Sequence, residues 1–194
     1  MSHIAYVFID GGYLRRIAWD NNRPLYNPRK IAERVVSHKN VQAWPAGPYT
    51  ANNVHLARIT YYDGRPDEEE DRELTDYWNA IELLPDTELG FGSVRGRPRR
   101  QKAVDTLIAV DMIVGAFNKL FSVAVLISGD FDFVPVVDEV RRLGVMVTIA
   151  AEEESLAEDL RRAADRFVPI KLSPETQACV MKVDDRSWDP PKED

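Results

Sequence analysis

Cysteine and histidine are scarce in this sequence: Cys179 is the one cysteine, and His3, His38 and His55 are the three histidines, in 194 residues. A single cysteine excludes an intramolecular disulfide and a cysteine-rich zinc site, and the scattered histidines lack the spacing of metal ligands. Any metal must therefore be held by carboxylates. Long apolar runs are also lacking. No stretch reaches the ~20 apolar residues of a membrane span. Asp10, Arg15 and Arg16 interrupt the first apolar run, so no secretion signal is expected and the chain is read as cytoplasmic, away from membranes. Positive charge is in deficit, with 25 Lys and Arg against 32 Asp and Glu and a net charge of −7. That balance speaks against a protein that coats nucleic acid indiscriminately through a basic surface.

What is present suffices for a core. With 44% hydrophobic residues, the chain is read as one domain over 1–170 and an acidic, proline-bearing tail over 171–194. Charge is uneven along it. Arg95, Arg97, Arg99, Arg100 and Lys102 crowd into one segment, while Asp67 to Asp71 is acidic. The run from Ile4 to Ile9 is apolar without alternation, as in a strand buried on both faces. Helices are expected over 13–20, over 28–38 with Asn27 as N-cap and Pro28 at the first position, and over 67–84. Strands are expected over 54–62 and 87–94, and the basic segment after them reads as a loop. A helix over 102–120 is apolar nearly all round and is expected to be buried. The rest alternates again: strand 123–128, helix 133–143 stopped by Gly144, strand 145–150, helix 155–164, strand 167–170. Such alternation predicts an α/β fold, a doubly wound parallel sheet between two helical layers.

In these sheets ligands bind beyond the carboxyl ends of the strands, where strand order reverses. Asp10 ends the first strand, and Asp130 and Asp132 follow the 123–128 strand in Ser128-Gly129-Asp130-Phe131-Asp132-Phe133. If those strands are neighbours, three carboxylates converge, a donor set suited to Mg²⁺ or Mn²⁺. Each could instead be a turn former or a helix cap. Gly11, Gly12 and Gly129 allow close backbone approach and favour a site. Asp105 lies in a helix otherwise filled by apolar residues, where an unpaired charge is costly. Asp111 is about 120° round the helix from it and is read as supporting or structural.

Three blocks carry a resemblance: Val7-Phe8-Ile9-Asp10-Gly11-Gly12-Tyr13-Leu14; Lys102-Ala103-Val104-Asp105, with Asp111 following; and Leu126-Ile127-Ser128-Gly129-Asp130-Phe131-Asp132-Phe133-Val134-Pro135. Together they resemble the NYN domain of LabA-like proteins, over roughly Ile4 to Ile170. The resemblance implies a PIN-like, Rossmann-like fold and Mg²⁺- or Mn²⁺-dependent hydrolysis of RNA, with Asp10, Asp105, Asp130 and Asp132 as the metal-binding acids. Many relatives have Asn where this chain has Tyr13, a departure that touches one contact but no metal ligand. Tyr13 is a candidate for stacking on a base or for packing. Ser128 would orient a ligand or phosphate, or simply be small at a strand end. Arg97, Arg99, Arg100 and Lys102 would hold phosphates or form a solvated loop. Rival readings are a nonenzymatic regulator that binds RNA or a protein partner, or pairs with itself, through the tail around Trp188, and a Mg²⁺-dependent phosphatase. The phosphatase is disfavoured because Gly12 stands where a second Asp would be needed, and Gly11-Gly12 lacks the spaced glycine of a dinucleotide site.

Overall fold

The computed structural model of the chain describes residues 2–20, 25–42, 54–66, 72–95 and 100–171. Its strands are β1 (His3–Asp10), β2 (Val54–Pro66), β3 (Thr87–Arg95), β4 (Arg100–Lys102), β5 (Val123–Ile127), β6 (Met146–Ala151) and β7 (Arg166–Pro169). They form one sheet in the order β4-β3-β2-β1-β5-β6-β7. All pairs are parallel except β3 with β4. The helices are α1 (Gly11–Asp20), α2 (Pro28–Val36), α3 (Lys39–Gln42), α4 (Arg72–Glu82), α5 (Val104–Phe117), α6 (Val134–Arg142) and α7 (Glu158–Ala163). Right-handed crossovers place α1 to α4 on one face of the sheet and α5 to α7 on the other. The expected three-layer architecture is thus the observed one, and strand order reverses between β1 and β5.

Local chemistry explains most boundaries. Asn27 caps α2 through its side chain, which accepts from the amides of Arg29 at 3.0 Å and Lys30 at 3.2 Å, with Pro28 at the first helical position. Gly144 follows α6 at φ +85°, the left-handed conformation that ends a helix most cheaply with glycine. Every residue of β5 is buried at 0% exposure, which accounts for a run with no polar alternation.

Three expectations are corrected. Residues 100–102, read as the end of a loop and the first residue of the helix over 102–120, form an antiparallel edge strand against Ser93 to Arg95. Ala103 then turns the chain into α5 at φ 69°, a left-handed backbone that is uncommon outside glycine. The helix expected over 28–38 ends at Val36, and a separate short helix, α3, follows, whose Asn40 side chain donates to the Phe167 carbonyl at 2.7 Å. The third correction concerns α5, which is not buried all round. Val104, Ile108, Met112, Gly115 and Ala116 face the sheet, whereas Val110 and Val114 are 50% exposed and Phe117 71%. An outer-layer helix meets the sheet along one stripe only, whatever its composition. Between α5 and α6 lies a cleft of 390 Å³ with Ile113, Val114 and Val136 in its walls and Asp105 and Asp132 among its lining residues. Among the described residues no helix is long and apolar enough to cross a membrane.

Candidate active site

Asp10 is in register with Tyr62 of β2 and lies one position beyond the last β1–β5 pair, Ile9 with Ile127. It also immediately precedes α1, so it can cap that helix: the Tyr13 amide donates to Asp10 Oδ1 at 2.9 Å. Ser128 Oγ donates to Oδ2 at 3.0 Å. Burial raises the Asp10 carboxyl above its ordinary range. The two hydrogen bonds oppose that rise, the charge of Asp130 adds to it, and Arg16 works against it. Gly11 is demanded by close approach, since a Cβ there would stand 2.6 Å from both the Tyr61 ring and the Tyr62 carbonyl oxygen.

Beyond β5 the chain leaves the sheet through Ser128-Gly129-Asp130. The Asp130 amide donates to Ser128 Oγ at 3.3 Å, and Asp130 Oδ1 accepts from the Asp132 amide at 3.1 Å, capping a 3-10 turn over Phe131–Phe133. Gly129 is pinned under the loop after β6. A Cβ on it would meet the Ser155 carbonyl oxygen at 2.3 Å, and its own carbonyl accepts from the Ala157 amide at 3.0 Å. Main-chain contacts with the loop after β6, together with the Ser128 hydroxyl and the Asp130 cap, set this turn, while the Asp130 and Asp132 side chains stay exposed.

Asp105, second residue of α5, joins the group from the other side. Partial burial raises its carboxyl, and so in turn do the charges of Asp10, Asp130 and Asp132. The charges of all three other acids reach Asp105, so the end of β1, the turn after β5 and the start of α5 lie near one another at the carboxyl ends of the strands. That region sits where the strand order reverses, the usual ligand position in a doubly wound sheet.

A family model described as NYN domain matches residues 5–171. The chain belongs to the NYN domain family. NYN domains are part of the PIN-like nuclease superfamily, whose nucleases generally use divalent metal ions. No curated protein matches the NYN domain described here. Among solved structures it is similar to a protein of unknown function from Vibrio parahaemolyticus, with 16% identity and a TM-score of 0.64 over 88% of this chain and 94% of that one. That likeness shows the fold alone.

The donor set of this NYN domain fits a hard divalent cation: carboxylates without soft ligands, and two carboxyls raised by burial and by the charge of neighbouring acids, Asp130 for Asp10 and Asp10, Asp130 and Asp132 for Asp105. Among the described residues no three Asp, Glu, His or Cys are gathered closely enough to hold an ion as they stand. The exposed Asp105, Asp130 and Asp132 would have to rotate toward the fixed Asp10.

Other expected site residues land differently. Tyr13 is 3% exposed, so its ring is not open for stacking on a base. Its hydroxyl pairs with Ser155 Oγ at 2.7 Å and accepts from the Glu152 amide at 2.9 Å, which ties the loop after β6 to the turn after β1. Ser128 is fully buried and spends its hydroxyl on Asp10, so it orients an acid and does not meet a phosphate. Asp111 accepts from the Tyr62 hydroxyl at 2.8 Å, a structural link between α5 and β2. Gly12 is a half-exposed residue in the first turn of α1. Arg97 and Arg99 lie outside the described residues. Arg100 and Lys102 are on β4, just before α5, with their side chains outside the description.

Two neighbours of the site escaped the sequence reading. Asp63, at 0% exposure, accepts from the Arg15 guanidinium, from Trp78 Nε1 at 2.9 Å and from the Gly64 amide at 2.7 Å. Its Asp-Gly step, one position beyond the residue of β2 in register with Asp10, repeats that of Asp10-Gly11 and could have drawn notice. Arg16 is exposed, its guanidinium carbon 5.4 Å from the centre of the Tyr13 ring.

Proposed function

We propose that this NYN domain is a Mg²⁺- or Mn²⁺-dependent ribonuclease and that Asp10, Asp105, Asp130 and Asp132 hold the ion. The observation that supports this reading is the proximity of four acids from three elements, with the Asp105 carboxyl raised by its partial burial and then by the charges of the other three. A buried structural acid is normally paired with a cation, as Asp63 is with Arg15. Asp10 and Asp130 accept backbone amides, but none of the four acids has an ion pair among the described residues. When bound, the metal would lower the pKa of water for in-line attack on a phosphodiester and stabilise the leaving oxygen.

The chain's own residues supply position and dryness. The Tyr13 amide and Ser128 hydroxyl fix both oxygens of Asp10, and its burial keeps water from weakening its hold on a cation. Asp130 and Asp132 ride on a turn set by main-chain bonds, the Ser128 hydroxyl and the Asp130 cap. Arg97, Arg99, Arg100 and Lys102 precede Asp105 in the chain and would draw phosphates toward the start of α5. The cleft between α5 and α6 reaches Asp105 and Asp132 and gives the substrate room beside the acids. An RNA substrate goes with a cytoplasmic location.

The test is cleavage of labelled single-stranded and hairpin RNAs with Mn²⁺, Mg²⁺ or EDTA. Metal-dependent cleavage is expected, falling at least ~100-fold in Asp10→Asn and in Asp130→Asn, the scale of losing several kcal/mol of charge stabilisation. Absence of cleavage on every substrate, with no metal binding by calorimetry, would sink the reading. The regulator would then gain, and the exposed Val110, Val114 and Phe117 of α5 favour a partner-binding surface in that case.

A further inference from the structure

Arg15 and Arg16 are adjacent in sequence and have opposite fates. Arg15 is consumed by the buried Asp63, in a bond whose charges cancel. Arg16 is exposed and makes no ion pair or hydrogen bond among the described residues. It is nevertheless held in place. Its guanidinium lies over the Tyr13 ring at 5.4 Å, a cation–π contact worth about 0.5–1 kcal/mol at an exposed site. The ring itself is immobilised, because the Tyr13 amide is bonded to Asp10 and the hydroxyl to Glu152 and Ser155. The charge is near enough to Asp10 to favour its ionised form. A planar fork of donors is thus parked near Asp10 without an ion pair of its own among the described residues.

We propose that Arg16 is a phosphate anchor, binding a backbone phosphate of RNA adjacent to the one that is cut and so setting the strand's register at the acids. The assignment rests on the ribonuclease reading. The chemistry favours it on three grounds. A substrate that is itself a polyanion must approach an acidic mouth on a chain of net charge −7, so a fixed cation at the rim has unusual leverage on where it settles. Guanidinium also matches phosphate with two parallel N–H donors, which an ammonium cannot. Finally, stacking on a fixed ring removes part of the rotamer entropy that a free arginine would lose on binding. Tyr13, too buried to meet RNA itself, acquires a role as the platform for Arg16.

The experiment measures binding of a labelled single-stranded RNA in EDTA across a salt series, then kcat and KM in Mn²⁺. Arg16→Ala is expected to weaken binding about tenfold and to lower the slope of log affinity against log salt by ~0.7, the value for one phosphate contact on a single strand. KM rises while kcat stays within about threefold. Arg16→Lys retains the salt slope and binds with intermediate affinity. Arg34→Ala removes an equal charge from α2, whose final carbonyl, that of Val36, is bonded to Gln42 together with the first residue of β2, at the amino ends of the strands and away from the acids at their carboxyl ends. It is expected to change neither quantity. An unchanged affinity and slope in Arg16→Ala, or a wild type that does not bind RNA, would overturn the anchor. A wild type that binds RNA but cuts none in either metal would overturn the nuclease reading alone.

Discussion

At the scale of single residues, the site is a contest between charge repulsion and position. Burial and mutual repulsion raise the Asp10 and Asp105 carboxyls. A carboxyl raised on folding contributes stability that is full below its unfolded pKa and lost as pH rises through its folded pKa. At neutral pH without metal the raised Asp10 and Asp105 therefore strain the fold, and Asp105→Asn is expected to relieve part of that strain. Because Asp105 is exposed to screening water, the gain should stay below ~1 kcal/mol, or about 1–3 °C in Tm for a chain of this length. Thermal melts in EDTA should show the variant's advantage opening between pH 4 and neutrality, and added Mn²⁺ should stabilise the wild type more than the variant. A variant that melts below the wild type at pH 7 in EDTA would contradict the placement of Asp105 among the acids.

At the scale of elements, the loop after β6 is fastened to the two strand ends that carry acids. Gly129 fits under Ser155 only because it lacks a Cβ, and the Tyr13 hydroxyl holds Glu152 and Ser155. Both contacts can be broken separately. Gly129→Ala must displace backbone, so a loss of about 1–3 kcal/mol is expected, together with loss of cleavage because Asp130 follows directly. Tyr13→Phe keeps the ring under Arg16 and removes two hydrogen bonds, for a loss of about 1–2 kcal/mol, with faster hydrogen exchange at the Glu152 amide and with metal binding retained. Equal exchange in wild type and Tyr13→Phe would show that the loop is held by other means. The Ser-Gly-Asp-x-Asp pattern made Asp130 and Asp132 legible in the sequence, since turn chemistry is local. The tie to Ser155 was not, because its partners, Tyr13 and Ser155, are 142 residues apart.

For the whole molecule, the acid that matters most to stability is not one of the four. Asp63 joins β2 to α1 through Arg15 and to α4 through Trp78. Removing one partner of a buried pair strands the other, so Asp63→Ala is expected to cost about 3–5 kcal/mol. Urea unfolding monitored by tryptophan fluorescence would measure it, and a cost below ~1 kcal/mol would mean that the pair is as weak as a surface bridge. Asp10→Asn, by contrast, should abolish activity with little or no loss of stability.

The sequence by itself determined the alternation of strands and helices, the parallel sheet, the apolar β1 that is buried from Val7 onward and the acids at strand ends, because hydrophobic period, caps and turns are properties of neighbours along the chain. Only the tertiary structure decided that Arg15 is spent on Asp63 while Arg16 is left free, that Tyr13 and Ser128 serve Asp10 from within the protein, and that α5 exposes Val110, Val114 and Phe117. The reason is physical. Which charge is paired and which apolar face is covered depends on contacts between distant segments, and Asp10 and Ser128, 118 positions apart, meet only once the sheet has brought β1 beside β5.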